Sequence, residues 1–225
     1  MPIDPNQLTR RRCDRLAPWL DLIEMPAERL RLSTWRNRLR EHLIGPRALE
    51  VGVGTGKNFA FYPPGAKVTA IDLSPRMLAQ ARAKAELTDV PVTLSEMDAQ
   101  TVDFPDNSFD SVFATFVFCS VPDPIKGLKE LRRVCRPGGR LLLLEHVRPT
   151  GCLLGWLFDL LNPLMVRLSG ANLNRRTKEN LIRAGWELVT AENLAWGVVW
   201  WLEAQPGQKN ARSQTAPSAE DGERD

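Results

Sequence analysis

Three glycines at every second position follow an acidic residue at the end of a short apolar run. The pattern consists of Glu50, Gly52, Gly54 and Gly56. Glycine has no Cβ, so it adopts positive φ angles and lets a ligand approach the backbone closely. A glycine-rich turn between a predicted strand and a predicted helix therefore indicates a backbone cradle for a cofactor.

Two phosphate-binding patterns do not fit this turn. The dinucleotide pattern G-x-G-x-x-G, started at Gly52 or Gly54, requires a glycine where the chain has Lys57 or Phe59. The phosphate-loop pattern requires Ser or Thr where the chain has Asn58. The turn therefore predicts a ligand that needs no phosphate site.

The spacing E-x-G-x-G-x-G resembles the nucleotide-binding turn of the class I S-adenosylmethionine-dependent methyltransferases of the type 11 domain. Further motifs follow in the order of that family over residues 45–147. The resemblance implies that Asp72, at the end of the second strand, accepts hydrogen bonds from both ribose hydroxyls. It also implies that Asp98, after the third strand, accepts a hydrogen bond from the adenine amino group.

The resemblance implies S-adenosylmethionine as cofactor, with a sulfonium that already activates the methyl group. The protein then has to align an acceptor atom and exclude water. The predicted cofactor contacts are Glu50, Gly52, Gly54, Gly56, Asp72, Leu73, Met77, Asp98, Ala99 and Phe116. We predict no metal site, because the cysteines lack the spacing of a zinc site.

His146 is the predicted general base, because it ends the fifth strand and imidazole titrates near neutral pH. Glu145 is predicted either to bind an acceptor ammonium or to orient His146. The alternative for His146 is a strand-end side chain that only caps or packs. Residues 118–120 are predicted to form the floor of the acceptor pocket, with Cys119 as a wall residue and not a nucleophile.

Residues 12–21 resemble the entry motif of the ubiquinone/menaquinone C-methyltransferases and of bacterial phosphatidylethanolamine N-methyltransferases, with Cys13 and Leu20 in place of tyrosines. Residues 145–147 and 170–175 resemble animal thiol methyltransferases. The acceptor is thus predicted to be a hydrophobic small molecule or lipid, with a phosphatidylethanolamine-type amine favoured. C-methylation of a quinone precursor, S-methylation of a small thiol and a cofactor-binding module without turnover remain alternatives.

Residues 152–168 form a strongly apolar segment within a predicted lid insertion at 150–175. One interpretation is a lid over a hydrophobic acceptor that rests on a bilayer. The other is an ordinary buried helix packed on the sheet. The segment is too short and too interrupted to span a bilayer.

The chain has 225 residues with a net charge of +3, and its apolar fraction of 43% suffices for one α/β core. The modest charge, the apolar segment and the absence of an N/D-P-P-Y/F tetrapeptide after strand four argue against nucleic acid as partner. With no apolar leader at the start of the sequence, we expect a cytoplasmic protein, with peripheral contact to the inner face of the membrane as an added option. The sequence makes no prediction of oligomeric state.

Strands and helices alternate from residue 47 to residue 146, with near-continuous apolar strands, which predicts a parallel sheet covered on both faces. Two more strands near the C-terminus are predicted to form a hairpin. The resemblance implies a Rossmann-like, mostly parallel seven-stranded sheet whose last strand is antiparallel. The predicted domains are N-terminal helices over the site (1–44), the core (45–204) and a disordered tail (205–225).

Overall fold

The computed structural model describes residues 4–149 and 151–207, apart from the side chain of Leu168. The strands are β1 (Arg47–Val51), β2 (Lys67–Asp72), β3 (Val92–Glu96), β4 (Phe109–Thr115), β5 (Cys135–His146), β6 (Trp186–Ala195) and β7 (Val199–Pro206). The α-helices are α1 (Pro5–Ala27), α2 (Ser33–His42), α3 (Pro75–Ala85), α4 (Pro124–Val134), α5 (Cys152–Leu168) and α6 (Thr177–Arg183). A 3₁₀ turn covers Phe59–Phe61.

All the strands belong to one seven-stranded sheet in the order β3-β2-β1-β4-β5-β7-β6. β1 pairs in parallel with both β2 and β4, and β7 is antiparallel to its neighbours β5 and β6. The predicted mostly parallel sheet with an antiparallel last strand is therefore confirmed. The strand order reverses between β1 and β4, which opens a crevice at the carboxyl ends of the strands.

The predicted N-terminal helices are present, and the proline in this region does not separate them. α1 runs through Pro26 and joins α2 by a π-helical turn at Glu28–Leu32. Proline removes one hydrogen bond of a helix without forcing the chain to leave it, and the wider turn follows directly. These three helical elements therefore form one continuous N-terminal arm over residues 5–42.

Local capping places two helix starts at the carboxyl edge of the sheet. Ser74 Oγ accepts from the Met77 N–H at 3.1 Å, and Asp123 Oδ1 accepts from the Lys126 N–H at 3.0 Å. A proline at the first position of each helix fixes φ for the helix without losing a needed donor. Buried apolar side chains fill both faces of the sheet, with Phe113 and Leu142 on one face and Val112 and Leu141 on the other.

The predicted C-terminal hairpin is present as β6 and β7. β7 includes residues 205 and 206 of the segment predicted to be disordered, and residues 208–225 lie outside the described residues. Among the residues described here, no helix combines the length and apolar character needed to cross a membrane.

Candidate functional site

A cavity of about 330 Å³ lies at the carboxyl ends of the parallel strands, where the strand order reverses. Its floor comes from residues at the ends of β1, β2, β3, β4 and β5, and α1 and α2 contribute the opposite wall. The following predicted site residues line this cavity together: Gly52, Gly54, Asp72, Leu73, Met77, Asp98, Ala99, Phe116 and His146. Cys119 and Ser120 also line it, whereas Phe118 is buried in the core.

The backbone of the glycine turn cannot accept a side chain at its first glycine. Gly52 has a φ of +67°, and a Cβ there would lie 2.4 Å from Cγ2 of Val117. Gly54 also has positive φ, at +55°, and its N–H donates to Asp72 Oδ2 at 2.8 Å. The turn is therefore held against the loop after β4 on one side and against the end of β2 on the other.

Glu50 and Gly56 are not brought to the cavity wall. Glu50 is fully buried in β1, where it accepts from Asn58 Nδ2 at 2.5 Å and from the hydroxyl of Tyr62. Burial raises the pKa of Glu50 to about 7 despite these donors. Gly56 allows the ring of Phe59 to pack closely, since a Cβ there would lie 2.6 Å from that ring. Both residues support the turn from behind.

Asp72 is a nearly buried carboxylate on the cavity floor. In addition to the Gly54 N–H, it accepts from the Ser74 N–H at 2.9 Å through Oδ1. Burial raises its pKa above the ordinary value, and these backbone donors counteract that effect. Each carboxylate oxygen carries a further lone pair, so Asp72 retains the capacity to accept from a pair of hydroxyls.

Asp98 is bound by a residue that sequence reasoning missed. Asn6, near the start of α1, donates from Nδ2 to Asp98 Oδ2 at 2.8 Å. Gln100 donates its N–H to Asp98 Oδ1 at 2.9 Å and its side-chain amide to Asn6 Oδ1 at 2.7 Å. The start of α1 is thereby attached to the loop predicted to bind adenine.

His146 lies on the cavity wall beside an aromatic ring. Its imidazole packs on Phe116 with ring centroids 4.6 Å apart and a tilt of 33°. Burial lowers the pKa of His146 below its ordinary value, and the charge of Glu24 raises it by a smaller amount. His146 is therefore neutral near pH 7 and able to accept a proton.

Glu145 does not share the cavity wall with His146, because consecutive residues of a strand point to opposite faces. Its Oε1 accepts from the N–H groups of Val117 and Phe118 at 2.8 and 2.9 Å. Burial raises the pKa of Glu145 to about 7. Oε2 has no hydrogen-bond partner among the described residues. Glu145 thus holds the loop after β4.

Cys119 is a buried thiol on the cavity wall. Burial and the nearby Glu145 charge raise the pKa of Cys119 to about 12. Because the thiolate is the reactive form of cysteine, this side chain is inert near neutral pH.

Charged side chains of the N-terminal arm form part of the cavity wall and were not predicted as site residues. They are Glu24 on α1 and Arg36 on α2, and Lys57 of the glycine turn lies beside them. Lys57 Nζ pairs with Glu24 Oε2 at 2.6 Å, and Arg36 Nε pairs with Glu28 Oε1 at 2.9 Å. One signal was available, since Arg36 falls in helical register with Leu32 and Leu39 on an otherwise apolar stripe.

The apolar segment forms an exposed helix that leads directly into residues lining the cavity. In α5, Leu153 is 82% exposed and Trp156 is 60% exposed, and α1 adds Trp19 at 61%. Ser169 and Ala171, directly after α5, line the cavity. Asp159 anchors the helix by an ion pair with Arg148 at 2.7 Å. The interpretation of α5 as an ordinary buried helix is therefore wrong.

Comparison with known proteins shows that the chain is similar to methyltransferases. Residues 49–143 match the family described as "Methyltransferase domain". A thiol S-methyltransferase of Homo sapiens is 31% identical over 195 residues, which cover 80% of this chain and 79% of that protein. A demethylmenaquinone methyltransferase of Deinococcus radiodurans is 34% identical over 164 residues, which cover 70% of this chain and 68% of that protein.

A phosphatidylethanolamine N-methyltransferase of Cereibacter sphaeroides is 47% identical over 115 residues. The match covers 49% of this chain, and the chain spans 57% of the length of that relative.

Solved structures share the fold at low sequence identity. The [4+2]-cyclase SpnF superposes with a TM-score of 0.72 at 19% identity, covering 92% of this chain and 98% of that chain. A methyltransferase of Thermotoga maritima, described as S-adenosylmethionine-dependent, superposes with a TM-score of 0.66 at 20% identity, covering 87% and 99%. A cyclase among these neighbours illustrates that the fold alone does not define a reaction.

Proposed function

The chain belongs to the S-adenosylmethionine-dependent methyltransferases, and from this premise we propose that it methylates the amine of a phosphatidylethanolamine-type lipid at a membrane surface. The observation that carries the proposal is that Ser169 and Ala171, which line the cavity, directly follow the exposed apolar helix α5. A lipid could pass from a bilayer along such a helix into the cavity without exposing its chains to water.

The described residues fit the cofactor of this family. Bound there, S-adenosylmethionine supplies a methyl group activated by its sulfonium. Asp72 would hold the ribose hydroxyls, Asp98 the adenine amino group, and Leu73 and Met77 the faces of the adenine. Gly52 and Gly54 support this fit, because they line the cavity with backbone alone, which a ligand can approach closely.

His146 supplies the proton acceptor that an amine substrate needs. An ammonium has no free electron pair, so it must lose a proton before its nitrogen can take up a methyl group. The neutral imidazole of His146 accepts that proton at the cavity wall. Its position at the end of β5 leaves the ends of β2 and β3 for the cofactor's adenosine.

The exposed apolar side chains suit contact with a bilayer. Leu160 and Leu164 extend the exposed face of α5, and Trp19 and Ile23 extend that of α1. Leucine and tryptophan are typical of helices that lie in the membrane interface, where basic residues meet anionic headgroups. Exposed Arg11, Arg15 and Arg167 lie on the same two helices.

The acceptor is tested by incubating the protein and labelled S-adenosylmethionine separately with phosphatidylethanolamine vesicles, a demethylquinol and an alkyl thiol. We expect label in the N-methylated lipid. Label in only the quinol or the thiol would replace the lipid acceptor by one of those two chemistries. Saturable cofactor binding without turnover on any acceptor would instead favour a cofactor-binding module.

A further inference from the structure

The geometry points to Arg36 as the residue that binds the α-carboxylate in the methionine portion of the cofactor. The inference rests on the family's use of S-adenosylmethionine but not on the identity of the acceptor. Arg36 is 4% exposed, yet it belongs to the cavity wall. A buried guanidinium is costly unless partners or a ligand match its charge and its hydrogen-bond donors.

The described contacts of Arg36 leave one edge of its guanidinium free. Nε donates to Glu28 Oε1 at 2.9 Å, and Nη1 donates to Asn58 Oδ1 at 2.8 Å and to Thr115 Oγ1 at 2.7 Å. These bonds use the hydrogen of Nε and both hydrogens of Nη1. Among the described residues, no acceptor is found for Nη2. A carboxylate is the acceptor that such a group binds most strongly.

The order of the strands places this free edge at the correct end of the cofactor. From one side of the sheet to the other, the cavity floor presents Asp98 after β3, Asp72 at the end of β2, Gly52 after β1 and Thr115 at the end of β4. With adenine at Asp98 and ribose at Asp72, the methionine portion extends towards β1 and β4. Arg36 bonds directly to Thr115 there.

The same network explains the place of Glu50 in the glycine motif. Asn58 donates to Glu50 Oε1 and accepts from Arg36, so it connects the two side chains. Glu50 therefore acts on the methionine portion through Asn58 and Arg36 rather than by direct contact. Both neighbouring cations have an acidic partner, Lys57 at Glu24 (2.6 Å) and Arg36 at Glu28 (2.9 Å), but the guanidinium of Arg36 still has the two hydrogens of Nη2 to donate to a carboxylate.

Two ligands separate this role from a purely structural one. S-adenosylhomocysteine carries the carboxylate, whereas 5′-methylthioadenosine keeps the adenosine and sulfur but has no amino-acid portion. Binding of each is measured by calorimetry for the wild type, Arg36→Met and Arg36→Lys. The exposed Arg31, on the helical turn before α2, provides Arg31→Met as a matched loss of charge.

We expect Arg36→Met to lower the affinity for S-adenosylhomocysteine by about 10- to 100-fold, as for the loss of a charged hydrogen bond, with methylthioadenosine affected by less than about twofold. Arg36→Lys should give an intermediate loss, and it provides the test if Arg36→Met does not fold. Equal losses for both ligands, or none for either, would overturn the inference. Failure of wild-type protein to bind S-adenosylhomocysteine would overturn the cofactor assignment as well, whereas inactivity towards lipid with this pattern intact would concern the acceptor alone.

Discussion

The backbone N–H of Gly54 donates to the carboxylate of Asp72 at 2.8 Å, which fixes the glycine turn to the end of the neighbouring strand. The same carboxylate accepts from the Ser74 N–H at the start of α3. One acidic side chain thus positions the backbone on both sides of the cavity floor. The predicted ribose ligand is therefore also the residue that shapes the site.

Replacement of Asp72 should weaken cofactor binding by two routes. In Asp72→Ala, the hydroxyl acceptors are lost and the Gly54 N–H loses its partner, so we expect the affinity for S-adenosylhomocysteine to fall by about 100-fold. Asp72→Asn keeps one acceptor and should lose less. Calorimetry measures both, with the exposed Asp103→Ala as control. Unchanged affinity in Asp72→Ala would exclude Asp72 as a ligand of the cofactor.

Gly52→Ala should destabilise the protein more than alanine at another glycine with positive φ. Gly52 combines a φ of +67° with a clash against Val117, so we expect a loss of about 2–5 kcal/mol in the free energy of unfolding. Gly65 has a φ of +82°, but a Cβ added there would meet no atom within 4 Å, so Gly65→Ala should lose only about 1–2 kcal/mol. Urea denaturation measures both, and equal losses would show that the clash relaxes without cost.

Glu145 should make the protein less stable as the pH rises. Burial raises its pKa to about 7 in the folded state, so the folded protein holds a proton that the unfolded chain releases near pH 4.5. This contribution is complete below pH 4.5 and is lost as the pH rises through about 7. The neutral Glu145→Gln should therefore flatten the decline in the free energy of unfolding between about pH 5 and pH 8 by about 1–3 kcal/mol.

Denaturation at those two pH values provides the measurement, with the exposed Glu41→Gln as a control that should keep the wild-type decline. An equal decline in wild type and Glu145→Gln would mean that Glu145 is charged in the folded protein.

Local sequence predicted the parts of the site that depend on short-range rules. Gly52, Gly54 and Asp72 follow from a turn of fixed spacing and from the end of the next strand. Arg36 and Asn6 could not be found in this way, because their bonds to Thr115 and Asp98 join residues 79 and 92 positions apart.

Glu145 and His146, at the end of β5, show a second limit of prediction from the sequence. Strand alternation requires that only one of Glu145 and His146 can face the cavity, but the apolar pattern of β5 does not reveal which. The burial of Glu145 against the loop after β4 decides the matter, and that loop is shaped by contacts distant in sequence.

The pH dependence of turnover should reflect the lowered pKa of His146. The neutral imidazole is the active form, and burial favours it, so kcat should rise with pH with an apparent pKa below the ordinary histidine value of about 6.5. His146→Ala should lower kcat by about 100-fold or more and remove this limb while leaving the affinity for S-adenosylhomocysteine unchanged. His42, which packs on Trp201 away from the cavity, provides the control variant His42→Ala. Undiminished turnover in His146→Ala would exclude a role as base.

Binding of the protein to vesicles should depend on the apolar face of α5 and should persist when salt is added. Apolar burial is insensitive to screening, whereas the attraction of arginines to anionic lipid is not. The double variant Trp156→Ser, Leu160→Ser removes two exposed apolar side chains and should lower binding by about tenfold or more at high salt. Co-sedimentation with vesicles of phosphatidylethanolamine and an anionic phospholipid measures this effect. Leu87→Ser is the matched control, because Leu87 is 86% exposed but lies outside both α1 and α5, directly after α3. Absence of the wild-type protein from the pellet at both low and high salt would argue for an acceptor taken from water, since a surface that does not hold the bilayer cannot admit a lipid from it.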